Sequence, residues 1–177
     1  MYIKKGSMVI REAKVKDAEI LASWWNDGKV MAHAGFPNGL GITVERVVEN
    51  IVDKSRKSYL HIIEIDDMPI GEMNYRDLGE NVASIGIKIC DFSMQNKGYG
   101  TQLLSMFINS LFNDLGYAKI VVDTNENNGR ARHVYEKLGF KLLRINKDAW
   151  KDQNGILQSV AEYELLKSNF IDFCTDF

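Results

Sequence analysis

The chain has 177 residues and a mass of 20.2 kDa, and its composition of 45% apolar and 26% charged residues is typical of a soluble globular protein. Lys and Arg total 22 against 24 Asp and Glu, so no overall positive field attracts nucleic acid. No run of about 18 apolar residues and no signal-like segment occurs, so we expect a cytoplasmic protein without a membrane partner. One domain over residues 1–177 is expected.

The two cysteines, Cys90 and Cys174, have neither the spacing of metal ligands nor the density of a disulfide scaffold. We therefore expect reduced thiols and no metal site.

The first part of the chain predicts a strand, a helix and a loop. Residues 8–13 alternate as a strand does, and Asp17 is expected to cap a helix that carries Trp24 and Trp25 on its inner side. Residues 26–41 contain four glycines and Pro37, which indicates a long irregular loop.

A second helix and an antiparallel meander follow. Thr43 is expected to cap the helix, which ends in a basic turn at residues 54–57. Alternating apolar residues then predict three strands, at residues 59–65, 70–76 and 82–90.

The last third predicts strands that alternate with helices. Apolar residues at helical spacing predict a helix from Thr101 to Leu115, and Gly116 ends it. A buried strand at residues 119–124, a helix at 128–138 and a strand from Phe140 follow. The whole pattern indicates an α+β fold whose sheet is parallel in its central part.

The segment Gln95-Asn-Lys-Gly-Tyr-Gly100 lies between a strand and a long helix. Glycines let a ligand approach the backbone, and a helix N-terminus favours anions, so the segment is suited to a phosphate or pyrophosphate. It fits neither the Walker nor the Rossmann spacing, because the lysine precedes the glycines and Leu103 stands where a third glycine is needed. Taken alone, the two glycines leave a simple tight turn equally open.

A second motif narrows the choice. Residues 128–140 read N-x-x-A-x-x-x-Y-E-K-L-G-F, and together with the glycine segment upstream this pattern resembles the GNAT family of N-acetyltransferases. The resemblance implies a mixed, mostly antiparallel sheet with flanking helices and one parallel, splayed strand pair. It implies acetyl-CoA as the donor. Trp25-Asn-Asp27 and Ile70-Gly-Glu72 are also similar to segments of the branch that acetylates ribosomal-protein termini and aminoglycosides.

The resemblance implies that the glycine segment cradles the pyrophosphate of acetyl-CoA and that the later helix lies beside its pantetheine arm. Main-chain groups near the end of the preceding strand are expected to bond the pantetheine and to stabilise the oxyanion. The cofactor-binding residues are expected to be Ile89, Cys90, Gln95, Asn96, Lys97, Gly98, Tyr99, Gly100, Thr101, Asn128, Arg130 and Ala131.

Tyr135 shares a helix face with Asn128 and Ala131, and a phenol with a reference pKa of about 10 is suited to protonate a departing thiolate. The alternative is a core tyrosine with a satisfied hydroxyl. Glu72, and after it Asp91, are the candidate general bases, although strand carboxylates are more often paired or solvent-facing.

The acceptor is expected to bind beside the loop at residues 31–41. The candidate substrate-binding residues are Trp25, His33, Phe36 and Tyr75. A partly aromatic, partly acidic pocket for a cationic amine would be made by Trp24, Trp25, Phe36 and Tyr75 with Asp27, Glu72 and Asp77. The three phenylalanines of residues 170–177 offer an apolar surface for a homodimer.

The sequence thus favours direct transfer of an acetyl group from acetyl-CoA to a small-molecule or peptide amine, within a ternary complex. A non-catalytic acyl-CoA sensor or a protein-interaction module of the same fold is the alternative. A nucleotide-binding regulatory domain would rest on the glycine segment alone.

Overall fold

The computed structural model describes residues 1–53, 55 and 57–174. Lys54 and Arg56 of the expected basic turn, and residues 175–177 of the expected apolar tail, lie outside this range. The described strands are β1 (Tyr2–Lys5), β2 (Met8–Glu12), β3 (Ser58–Ile65), β4 (Met68–Asp77), β5 (Val82–Ile89), β6 (Lys119–Asn125), β7 (Lys141–Lys151) and β8 (Leu157–Leu166). The α-helices are α1 (Ala18–Trp25), α2 (Gly28–Met31), α3 (Val44–Val52), α4 (Tyr99–Asn113) and α5 (Gly129–Lys137).

The strands form one sheet in the order β1-β2-β3-β4-β5-β6-β8-β7. All neighbours are antiparallel except β5 and β6, whose parallel pairing is limited to Val82–Ser84 of β5 and Lys119–Val121 of β6. Beyond Ser84 the two strands separate, and β5 stays paired only with β4. The expected mixed, mostly antiparallel sheet with one parallel, splayed pair is confirmed.

The helices cover both faces of the sheet. One face carries α4, which buries an apolar stripe that includes Leu103, Phe107 and Leu111 against the strands. The other face carries α1 and α3, which pack on Ile62 through Leu21 and Val47. The helical spacing of these apolar residues accounts for the helices, because each stripe must be buried against the sheet.

Three elements differ from the sequence expectation. The edge strand β1 and the long strand β8 were not predicted, although Ala161, Tyr163 and Leu165 of β8 are buried at the period of 2 that marks a strand. The expected irregular loop contains the one-turn helix α2, which begins where the carboxylate of Asp27 accepts the N–H of Lys29 at 2.8 Å. A single turn is too short to show helical periodicity.

Asp17 stands at the N-cap of α1 as expected, but its side chain does not cap that helix. Its carboxylate instead accepts hydrogen bonds from both terminal nitrogens of Arg11, at 2.8 and 2.9 Å, and from the N–H of Lys14. Arg11 also bonds Glu64 on β3 at 2.8 Å. This ion-pair network ties the start of α1 to β2 and β3. In the described part of the chain no helix is long and apolar enough to span a membrane.

Candidate active site

A cleft of about 780 Å³ opens where β5 and β6 separate. One wall is the end of β5, another is the glycine segment with the start of α4, and a third is the first two turns of α5. The predicted site residues that line the cleft are His33, Ile89, Gln95, Asn96, Gly98, Gly100, Thr101, Asn128, Arg130, Ala131 and Tyr135. Those that do not line it are Trp25, Phe36, Glu72, Tyr75, Cys90, Asp91, Lys97 and Tyr99.

The open side of β5 presents main-chain groups to the cleft. The N–H of Cys90 donates to the carbonyl of Ile70 at 2.8 Å, so Cys90 directs its main chain towards β4. Since residues alternate along a strand, Ile87 and Ile89 direct their main-chain groups towards the gap beside β6. Of the two residues expected here, Ile89 faces the cleft, whereas the N–H of Cys90 is occupied and the residue is 5% exposed.

The glycine segment faces open space. Gly98 precedes α4 with a φ of 83°, a conformation that favours glycine. A methyl group built on Gly98 would meet nothing within 4 Å, and one built on Gly100 would meet only the Cδ1 of Ile89 at 3.7 Å. The N-cap residue Gly98 has no side chain that could cap α4. The first N–H groups of α4 therefore remain available to an anion at the cleft.

The side chain of Gln95 joins two walls of the cleft. Its amide nitrogen donates to the carbonyl of Ile89 at 2.8 Å, and its amide oxygen accepts from Arg130 at 2.6 Å. Gln95 thus ties the end of β5 to the first turn of α5. Asn128 caps α5 by accepting the N–H of Ala131 at 3.2 Å, and it lines the cleft as well.

Tyr135 combines features of a core residue and a cleft residue. Its side chain is 4% exposed, and its ring packs on Phe140 and Tyr163 with centroid distances of 5.6 and 5.9 Å. Its hydroxyl makes no hydrogen bond with the residues described, yet the residue lines the cleft. Burial, with a smaller contribution from Asp123, raises the pKa of Tyr135 above its ordinary value. The phenol therefore stays protonated at neutral pH.

Both predicted bases are engaged elsewhere. Glu72 is 2% exposed, and its Oε1 accepts from Trp25 Nε1 and from Lys88 Nζ, each at 2.9 Å. Asp91 caps the turn that follows β5, where its carboxylate accepts the N–H of Ser93 at 2.9 Å. Its hydrogen bonds with Ser93 lower the pKa of Asp91. Neither carboxylate is a free base that faces the cleft.

The expected acidic, aromatic acceptor pocket is assembled only in part: Trp25 and Glu72 contact each other and line a second cavity, whereas Tyr75, Asp27 and Asp77 lie elsewhere. Tyr75 is 7% exposed and stacks on Tyr59 at 4.6 Å within the core, because it lies on the face of β4 that packs against α4. Asp27 caps α2, and Asp77 accepts the N–H of Gly79. Two of the three carboxylates that composition suggested for a cation pocket, Asp27 and Asp77, therefore stabilise a helix start and a turn.

Residues from β6, β7 and β8 complete the other end of the cleft, and the sequence did not indicate them. Trp150 of β7 lines the cleft and lies so close to Gly35 that a methyl group there would be 2.4 Å from its ring. Gln153 holds the same region through hydrogen bonds to the carbonyls of Gly35 and Gly39 and to the N–H of Asn38, each of 2.9 Å. Asp123 and Lys29 also line this end.

Comparison with known proteins gives a family match over most of the chain. The model described as an acetyltransferase (GNAT) domain matches residues 7–141. A kanamycin resistance protein of Rhizobium radiobacter is 38% identical over 60 residues, which cover 34% of this chain and 56% of that protein. The aligned segment thus spans little more than half of that relative.

Solved structures share the fold over nearly the whole chain. Spermidine N-acetyltransferase from Vibrio cholerae, in complex with CoA and spermine, has a TM-score of 0.83 at 19% identity and covers 93% of this chain and 98% of its own. The RimL ribosomal L7/L12 alpha-N-protein acetyltransferase, in complex with coenzyme A, has a TM-score of 0.82 at 16% identity and covers 94% and 98%.

Proposed function

The chain belongs to the acetyltransferase (GNAT) family, and on that premise we propose that it transfers the acetyl group of acetyl-CoA directly to a primary amine within a ternary complex. The observation that carries the proposal is the cleft beside the unpaired side of β5, which has the glycine segment along one wall and Tyr135 along another. We treat residues 1–177 as one acetyltransferase domain.

The residues around the cleft fit the donor. A methyl group added at Gly98 would meet no described atom within 4 Å, one added at Gly100 would meet only the Cδ1 of Ile89, and Gly98 has no side chain that could cap α4. The first N–H groups of α4 would hold the pyrophosphate, and Asn128 and Ala131 would lie beside the pantetheine. When bound, acetyl-CoA supplies an acetyl group as a reactive thioester.

The chain supplies two chemical functions at the other end of the donor site. Main-chain N–H groups on the open side of β5 can stabilise negative charge on an acyl oxygen, since they need not reorganise to do so. Tyr135 holds a proton on a phenol that lines the cleft and lacks a hydrogen-bond partner among the described residues, so it can protonate a departing thiolate.

The proposal assigns no carboxylate as the base. Glu72 binds Lys88 and Trp25, and Asp91 caps a turn, so the acceptor would enter as the neutral amine and release its proton to water. An α-amino group, with a reference pKa of about 7.7 to 8.0, reaches the neutral form more easily than a lysine-type amine at about 10.4.

Thermal unfolding with and without saturating acetyl-CoA tests the donor site, with ATP and NAD as controls. A ligand that binds only the native state raises the unfolding temperature, so we expect an increase with acetyl-CoA and none with either nucleotide. Equal increases with all three would favour a general nucleotide site, and no increase with acetyl-CoA would contradict the proposal.

A further inference from the structure

A second cavity of about 690 Å³ lies on the face of the sheet that carries α1 and α3. We call it the acceptor cavity. Its residues are Trp25, Met31, Leu40, Ile42, Asn50, Asp53, Ser58, Leu60, Glu72, Asn74, Arg76, Ser84 and Lys88. Lys88 lines this cavity and the cleft of the donor site as well, so its side chain stands between the two.

The carboxylates of the acceptor cavity are already engaged. Glu72 accepts from Lys88 and Trp25, each at 2.9 Å, and is 2% exposed. Asp53 accepts from the hydroxyl and the N–H of Ser55, at 2.6 and 3.0 Å. Within the residues described, Arg76 makes no ion pair. The two carboxylates and the two cations that line this cavity balance, so it offers no net negative charge to a cationic acceptor.

The position of Lys88 follows from the sheet register. Glu72 and Lys88 are directly opposed partners on β4 and β5, and a buried carboxylate needs a cation or several donors. The ammonium of Lys88 occupies the place beside Glu72 that a cationic group of a substrate would otherwise take. A second ammonium on an acceptor would therefore find no unpaired carboxylate at this wall, because Lys88 already neutralises Glu72.

We propose that Lys88 determines acceptor specificity: by neutralising Glu72 between the two cavities, it restricts the acceptors to amines that carry no second cationic group near the reacting nitrogen. The inference rests on the proposed transferase function. If Lys88 has this role, the protein should not favour polyamines. The Asn and Ser side chains of the cavity suit an acceptor with neutral polar groups.

The test compares pentylamine with 1,5-diaminopentane, which differ by one amino group. We expect wild-type protein to prefer the monoamine in kcat/KM, measured as thiol release from acetyl-CoA. Lys88→Met is expected to raise the diamine-to-monoamine ratio by about tenfold or more, because it leaves the carboxylate of Glu72 free to pair with the second ammonium. Lys88→Arg keeps the charge and is expected to keep the wild-type ratio.

Two further variants separate charge from folding. Lys141→Met removes an exposed charge on β7 that lines neither cavity, and it is expected to leave the ratio unchanged. The double variant Lys88→Met with Glu72→Gln leaves no buried unpaired carboxylate, and it is expected to lose the gain for the diamine. An unchanged ratio in Lys88→Met, or a wild-type preference for the diamine, would overturn the inference.

A binding measurement distinguishes failure of this inference from failure of the proposed function. Calorimetric titration of both amines into protein that contains CoA needs no turnover. If no amine releases thiol, the transferase proposal fails. Tighter binding of the diamine by Lys88→Met, by about tenfold, would still support the role of Lys88, and equal binding by wild type and variant would contradict it.

Discussion

The two sides of β5 differ in how far they are paired. Towards β4 the strand forms seven residue pairs, from Gly71 with Ile89 to Asp77 with Ala83, whereas towards β6 it forms three. The paired side joins the strands that bury the core against α4, and the open side lines the cleft. Changes on the paired side should therefore alter stability, and changes on the open side should alter binding and turnover.

Tyr135 provides the largest expected effect on the open side. Tyr135→Phe removes a proposed proton donor and keeps the ring, so we expect kcat to fall by about 10²- to 10⁴-fold while binding of acetyl-CoA changes little. Steady-state thiol release and calorimetry measure the two quantities. Tyr163→Phe is the matched control, since the hydroxyl of Tyr163 bonds Arg132 and Glu136 and does not line the cleft. Equal kcat in the two variants would contradict the role of Tyr135.

Gly100 provides the next effect. Gly100→Val places a branched side chain in the space between α4 and Ile89, and we expect affinity for acetyl-CoA to fall by about 100-fold, or about 2.7 kcal/mol. Thermal unfolding without ligand should change little, because no described protein atom fills that space. Gly100→Ala adds only a methyl group at ordinary contact distance and should have a smaller effect. Undiminished affinity in Gly100→Val would place the donor elsewhere.

His61 tests the paired side. It is 1% exposed between Tyr75 and Phe107, and burial lowers its pKa to about 4. In the unfolded chain His61 binds a proton near pH 6.5, whereas in the folded state it does so only near pH 4. The folded state therefore loses stability as the pH falls from 6.5 towards 4. We expect the free energy of unfolding to fall by about 2 kcal/mol between pH 7 and pH 5.

Urea unfolding of wild type and His61→Gln at both pH values checks this expectation. The free energy of unfolding of the variant should fall less between pH 7 and pH 5, because the variant lacks the histidine that binds the proton. Binding of acetyl-CoA to the folded protein should show no matching change between the two proteins. A pH dependence that both share in full would show that His61 does not cause it.

Gln153 provides the smallest expected effect. Gln153→Ala removes side-chain hydrogen bonds to Gly39 and Asn38 that hold the loop at residues 31–41, beside which the acceptor is expected to bind, so we expect KM for the amine to rise by about five- to tenfold. Affinity for acetyl-CoA should stay the same. Asn154→Ala removes one exposed hydrogen bond to the side chain of Asn38 and should change KM little. A change in the affinity for acetyl-CoA, with KM for the amine unchanged, would contradict this expectation.

The donor end could be predicted because its residues are close in sequence. Residues 95–101 and 128–135 each belong to one loop and the helix that it opens, so motif spacing places most of them, though not Lys97 and Tyr99, on the cleft wall. Cys90 shows the limit of this reasoning. Which residues of β5 turn their N–H and C=O groups towards β4, and which towards the cleft, depends on the register between the two strands.

The contacts around the loop at residues 31–41 could not be predicted, because they join distant segments of the chain. Trp150 and Gln153 approach Gly35 across more than 100 residues of chain, and no local pattern marks such a contact. The pair of Glu72 with Lys88 is an intermediate case. Both strands were expected, but only their register shows that the two side chains face each other. Tyr75 shows the same dependence, since the face of β4 on which it lies decides between pocket and core.

The most direct test of the central claim is to measure thiol release and acetylated amine in one reaction, with acetyl-CoA, a panel of primary amines, and wild-type protein beside Tyr135→Phe. The account expects equal amounts of thiol and acetylated amine from wild type, and a much lower rate from the variant. Selective binding of acetyl-CoA without turnover of any amine would contradict transfer and would identify an acyl-CoA sensor instead.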